Sequence, residues 1–197
     1  IYLGSLRSSG TVDLTAGTDL MASDLTSTAA GLYMDSRNGS LNVGNASAKT
    51  ALVAQALAGN LSVGAYTADT ASLEASTDVS LKSGTVAKGI TVSAGRNASL
   101  GSMTSVTDKA KATALANLSA VLVKGASVEL AAGTGLTASN LISTNAKVDA
   151  VSTVGSVKIG SATVKSVFNA NAVAGDLSVD TFTSASADLK SGGLMNV

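Results

Sequence analysis

The sequence predicts an all-β fold, a parallel β-helix of about 20 residues per coil, and three observations carry that prediction. Short phrases return at a fixed interval. Gly39-Ser-Leu-Asn-Val43 and Gly59-Asn-Leu-Ser-Val63 are restated as Gly155-Ser-Val-Lys-Ile159 and Gly175-Asp-Leu-Ser-Val179, with 59 − 39 = 20 and 175 − 155 = 20. A longer unit is itself duplicated, at an offset of 155 − 39 = 116: Val12, Leu14, Ala16, Gly17, Thr18, Leu20, Ala22, Ser23 and Leu25 meet Val128, Leu130, Ala132, Gly133, Thr134, Leu136, Ala138, Ser139 and Leu141 without a gap. Finally, turn-forming residues recur at Asp19, Gly39, Gly59, Asp78, Asn97, Asn117, Gly135, Gly155, Gly175 and Gly193, in steps of 18 to 20. Because Gly, Asn and Asp tolerate φ > 0 best, these ten positions are expected to share one left-handed or strained turn.

Taken in order, residues 10 to 27 carry the phrase Val12-Asp-Leu14-Thr-Ala16-Gly17, followed by Leu20, Ala22, Leu25 and Ser27. It returns at Val128 to Ser143 and as Ile90-Thr-Val92-Ser-Ala94-Gly95 with Leu100 and Met103. Val79-Ser-Leu81-Lys-Ser83-Gly84 and Ala187-Asp-Leu189-Lys-Ser191-Gly192 read as variants, each a short strand stopped by a small residue and Gly. After most of the turns, apolar and polar residues alternate. Leu41, Val43, Leu61, Val63, Val79, Leu81, Leu136, Ala138, Val157, Ile159, Leu177 and Val179 are expected to face inward, with Ser40, Asn42, Asn60, Ser62, Asp78, Ser80, Lys158, Asp176 and Ser178 outward. A period of two means strand. Ala46 to Ala58 and Lys109 to Val123 are Ala-rich enough for helix. The copy of the first, residues 162 to 174, replaces good helix formers with β-branched, aromatic and Asn residues, so both stretches are predicted as strand.

Apolar residues make up 45% of the chain and aromatics only 3%, so the core must be Ala, Val and Leu stacked in thin layers. Proline is absent, which keeps every backbone donor for the neighbouring coil. Thirteen basic and thirteen acidic residues cancel and are scattered, so neither a nucleic-acid stripe nor an anionic-lipid patch is expected. Lys109 and Lys111 beside Asp108 read as a solvated turn. No apolar run approaches the ~20 residues of a membrane span. The whole of 1–197 reads as a single β-helical segment cut from a longer fibre. Its terminal residues, Ile1-Tyr2-Leu3 and Leu194-Met195-Asn196-Val197, carry neither charge nor proline and are expected to leave open, associating edges.

The phrases Val12-Asp-Leu-Thr-Ala-Gly-Thr-Asp-Leu20, Ile90-Thr-Val-Ser-Ala-Gly-Arg-Asn-Ala98 and Val128-Glu-Leu-Ala-Ala-Gly-Thr-Gly-Leu136 resemble the haemagglutinin-type repeats of filamentous haemagglutinin and related two-partner-secreted exoproteins, contact-dependent inhibition proteins among them. The resemblance implies a right-handed parallel β-helix, secreted to the surface of a Gram-negative bacterium through an outer-membrane partner. There it would serve as the shaft of a fibre used in adhesion, biofilm cohesion or delivery of a distal domain, with a host-surface or polysaccharide ligand and neighbouring fibres as further partners. The family's N-terminal secretion domain does not occur within these residues.

No catalytic, cofactor-binding or metal-ligating residue is assigned. The chain has no His and no Cys, which removes Ser-His-Asp and Cys-His nucleophilic arrangements and the usual zinc sites. Asp13 and Glu129 hold equivalent repeat positions but about six coils apart, roughly 29 Å at ~4.8 Å per coil, too far for an acid/base pair. Asp176, Asp180 and Asp188 read as a solvated surface, and Asp19, Asp24 and Asp35 lack the spacing of a calcium-binding repeat. Asn38, Asn45, Asn60, Asn97 and Asn117 each begin an Asn-x-Ser pattern, which such a composition also produces by chance. Tyr66 and Phe182 are equivalent copies expected to fill a wide corner of the coil. The rival readings are a glycan- or matrix-polysaccharide-binding face, marked by a row of aromatic or Asn side chains over consecutive coils, then a β-helical carbohydrate-active enzyme, and a designed solenoid, which the irregular steps disfavour.

Overall fold

A computed structural model describes all 197 residues and contains strands, bends and turns but no helix. Each coil contributes one long strand and one short strand. The long ones are β1 (Tyr2–Ser8), β3 (Leu20–Ser27), β5 (Leu41–Ala48), β7 (Leu61–Ala68), β9 (Val79–Val86), β11 (Ala98–Ser105), β13 (Asn117–Gly125), β15 (Gly135–Ser143), β17 (Val157–Val164) and β19 (Leu177–Thr183), ending at the two-residue β21 (Met195–Asn196). The short ones are β2 (Val12–Ala16), β4 (Leu32–Ser36), β6 (Ala51–Ala56), β8 (Thr70–Ala75), β10 (Ile90–Ala94), β12 (Lys109–Ala114), β14 (Ser127–Ala132), β16 (Val148–Ser152), β18 (Val167–Ala172) and β20 (Ser186–Ser191). Odd strands stack into an 11-stranded parallel sheet and even strands into a 10-stranded one, each strand pairing with its equivalents one coil away. Both Ala-rich stretches are strands, β5 with β6 and β12 with β13, as their repeat position requires.

The long strands are not straight. In β5 the inward residues are Leu41, Val43, Ala46 and Ala48, so the alternation slips at Gly44-Asn45, where two neighbours both face out. Axial pairing passes over one residue at this place in every coil: Gly4, Ser23, Gly44, Gly64, Lys82, Gly101, Val121, Ser139, Gly160 and Asp180. The slip bends the long strand into two sides, and the short strand supplies the third. Seven inward columns result, seen in one coil as Leu41, Val43, Ala46, Ala48, Leu52, Ala54 and Ala56, all buried.

Column composition shows how the lumen is filled. The last column, at the end of each short strand, reads Ala16, Ser36, Ala56, Ala75, Ala94, Ala114, Ala132, Ser152, Ala172 and Ser191, so all ten residues are Ala or Ser. No side chain at that corner extends beyond a Cβ and a hydroxyl. In the column through Tyr66 the two aromatic rings sit next to the smallest residues. Tyr66 lies between Ala46 and Gly84, and a Cβ at Gly84 would fall within the Tyr66 ring. Its copy Phe182 shares the column above Ala162 and stacks on Phe168 at 5.5 Å between ring centres. Tyr66 is only 1% exposed, whereas Phe182 is 37% exposed in the last full coil, so the two equivalent rings do fill one corner but to different depths.

Three expectations are corrected. No residue has positive φ, so the recurrent turn residues are neither left-handed nor otherwise strained in that sense. They also fall in two adjacent columns and not one. Gly39, Gly59, Gly155, Gly175 and Gly193 each precede by one residue the column that holds Asp19, Asp78, Asn97, Asn117 and Gly135. Glycine is required there by axial proximity: a Cβ at Gly59 would lie 2.5 Å from the Gly39 carbonyl oxygen, and one at Gly175 would collide with the Gly155 carbonyl. Lastly, Val79 to Gly84 is not a variant of the Val12 phrase, because it starts the long strand β9, which continues through Gly84 to Val86 in the other sheet.

Candidate functional site

Side-chain chemistry on the outer surface is organised in rows along the axis, and the most continuous row lies at the start of the long strands. There the backbone N–H of one coil donates to the side-chain oxygen of the coil before it: Ser40 to Asp19 Oδ1 at 2.8 Å, Asn60 to Ser40 Oγ at 3.2 Å, Asp78 to Asn60 Oδ1 at 3.2 Å, Asn97 to Asp78 Oδ1 at 3.1 Å, and Asn117 to Asn97 Oδ1 at 3.2 Å. The row lapses at Gly135, which has no side chain. It resumes with Asp176 N–H on Ser156 Oγ and Leu194 N–H on Asp176 Oδ1. Asx and Ser residues thus recur because they satisfy the donor that opens each long strand.

One residue pair further along each strand runs a second row, Ser62, Ser80, Ser99, Ser119 and Thr137, in register over five consecutive coils. Between the two rows is a shallow groove of about 310 Å³, lined by Asp78, Ser80, Asn97, Ser99, Asn117 and Ser119 among others. An Asn row over consecutive coils therefore exists, but its amides are engaged: Asn97 Nδ2 donates to Asp78 and Asn117 Nδ2 to Asn97. No aromatic row accompanies it, since exposed Tyr2 and Tyr33 lie on different sides of the coil.

Electrostatics follow the same axial logic. Arg96 pairs with Asp78 one coil away, and this hydrogen bond, with two from Asn97, holds the Asp78 carboxyl down to about 2. Lys109 and Lys111 belong to β12 and not to a solvated turn. Both reach Glu129 on β14, at 2.8 and 2.9 Å, and their hydrogen bonds keep the Glu129 carboxyl below its ordinary value. Asp13 and Glu129 do share one outward column, with Tyr33, Val53, Ser72, Thr91 and Lys111 between them. They cannot cooperate on one bond. Asp188 pairs with Lys190, Asp176 belongs to the corner row, and no three acidic residues converge as metal ligands. Asp24 accepts from Ser5 and Asn45, Asp19 from Ser40, and Asp35 pairs with Arg37. Of the Asn-x-Ser residues, Asn45, Asn60, Asn97 and Asn117 all use their side chains in these rows.

Comparison with protein-family models, with curated proteins and with solved structures finds no match to this chain. The class that the fold defines is a β-helical repeat array.

Proposed function

We propose that the chain is a length of shaft from a secreted bacterial surface fibre of the haemagglutinin-repeat kind, exported through an outer-membrane partner, in which stacked coils convert residues into reach. The observation that carries this reading is the constancy of the coil: the same inward columns persist along the whole array, and the outward rows mostly bond one coil to the next. A constant core that stacks without interruption is what a mechanical spacer requires. Each buried Leu or Val adds on the order of 1.5–3 kcal/mol at every layer. Gold-labelled antibody against these 197 residues, applied to intact source cells, should decorate fibres beyond the outer membrane. Label confined to lysed cells would contradict export and display.

A second reading is favoured by the hydroxyl row beside the Asn corner, which offers repeated hydrogen-bonding groups to an extended polysaccharide. On a glycan array, binding that is lost in Ser99→Ala with Ser119→Ala would move the function from spacing to recognition. Equal binding by the doubly substituted chain would remove this reading.

A further inference from the structure

The corner that follows the short strands carries a pattern that neither the core nor the shaft role requires. Its outward column reads Arg37, Leu57, Ser76, Gly95, Leu115, Gly133, Thr153, Val173 and Gly192, fixed in register because each backbone N–H donates to the Ala or Ser carbonyl of the preceding coil. Large apolar side chains recur at 115 − 57 = 58 and 173 − 115 = 58 residues, half the 116-residue duplication and three coils apart. They are Leu57, Leu115 and Val173, and they are 54, 76 and 53% exposed. Around Leu115, and between the coils of Leu57 and Val173, runs a groove of about 490 Å³ lined by Ser76, Gly95, Leu115, Gly133 and Thr153 among others. Projections therefore alternate with recesses along one edge, on a surface whose other columns are mostly hydroxyls, amides and charges.

We propose that this edge is where two copies of the chain pair side by side and antiparallel, about a two-fold axis between the coils of Leu115 and Gly133. Counting coils outward from that axis places Leu115 over Gly133 of the second copy, Leu57 over its Gly192 and Val173 over its Ser76. Leu57, Leu115 and Val173 each meet a Gly or Ser, Arg37 lies beyond the overlap, and symmetry doubles each contact. The flanking outward column sets each charge opposite an amide: Glu74 comes opposite Asn171, and Lys190 opposite Gln55, with no like charges facing. Moving the axis half a coil, onto Leu115, would set Leu115 against itself and Leu57 against Val173. A strip of eight coils is roughly 40 Å long and ~10 Å wide by strand and sheet spacings, or roughly 400 Å² per copy. That total of roughly 800 Å² is below the ~1,200–2,000 Å² of a stable interface, so one segment pairs weakly and longer arrays pair by accumulation. The contact belongs to the coil surface and does not depend on where the chain is displayed.

The chain has no cysteine, so disulfide capture has no background. Ser76→Cys and Val173→Cys, made in separate chains and mixed under mild oxidation, should cross-link as a heterodimer at least tenfold more than either does alone, because within one chain the two positions are five coils apart. Leu115→Asp in both chains should lower the yield about tenfold or more, and Leu57→Asp should act in the same direction. Both leucines are exposed, so circular dichroism should show the fold intact. Cross-linking of Ser76→Cys with itself would indicate a parallel pair and overturn the proposal. So would a yield unaffected by Leu115→Asp, no cross-link above the level of a Ser99→Cys control, or chains that associate in solution while no Ser76–Val173 link forms on oxidation, as end-to-end stacking would give.

Discussion

At the scale of single residues, the corner row has the clearest consequences. Asn97 sits there with ordinary backbone angles, accepts the Asn117 N–H and donates to Asp78, so its value lies in hydrogen bonds and not in conformation. Asn97→Ala and Asn97→Gly should therefore both cost about 1 kcal/mol in urea unfolding. Gly59→Ala should cost more than either, since its Cβ would meet backbone of the neighbouring coil that cannot move aside. Asp78 sets a pH dependence whose sign is fixed. Its carboxyl is held at about 2, below the ordinary 3.8, so its pairing stabilises the fold above pH 4 and is lost as pH falls through 2. The loss should be under ~1 kcal/mol because the pair is largely exposed. Asp78→Asn should flatten the fall in the urea midpoint between pH 5 and pH 2, and an unchanged slope would place the titration elsewhere. The sequence showed which residue types recur here but not why. A glycine needed for closeness to the next coil cannot be told, within one chain segment, from a glycine needed for φ > 0. Two adjacent columns that both recur every 20 residues or so also merge into one when read along the chain.

At the scale of an element, the long strand was legible in its first half. Leu61 and Val63 are buried and Ser62 is half-exposed on the outer side, as are Leu177, Val179 and Ser178. Leu61→Lys should cost several kcal/mol by placing an unpaired charge in the lumen, while Ser62→Lys should change stability little; equal, small losses by thermal melt would disprove the register. The bend at Gly44-Asn45 was not foreseen, because a slip of one residue in a period-two pattern looks like the end of a strand. For the same reason Val79 to Gly84 read as a complete short strand. In fact Gly84 clears space for the ring of Tyr66, a compensation that exists only between coils. The Tyr66 hydroxyl is buried without a hydrogen-bond partner, and burial raises its pKa. Tyr66→Phe should thus raise the melting temperature by removing an unpaired polar group of about 1–3 kcal/mol.

For the molecule as a whole, the coil period, the strand content and the stacking of equivalent phrases were all readable, because duplication repeats the same constraints until chance is excluded. The paired edge was not readable: Leu57, Leu115 and Val173 are indistinguishable from core residues until the corner turns them outward. The coil is additive by construction. Its eleven long strands give a rise of roughly 48 Å at ~4.8 Å per layer, and any whole number of equivalent coils should extend it without a new core. The direct measurement is to insert a second copy of residues 39–154 after residue 154, so that each junction joins positions already equivalent at the 116-residue offset, and to measure particles by electron microscopy. A rod of unchanged width, longer by roughly 29 Å at ~4.8 Å for each of the added coils, is the expected result. A rod of the original length with a disordered loop, or two separate globules on a tether, would contradict a continuous solenoid.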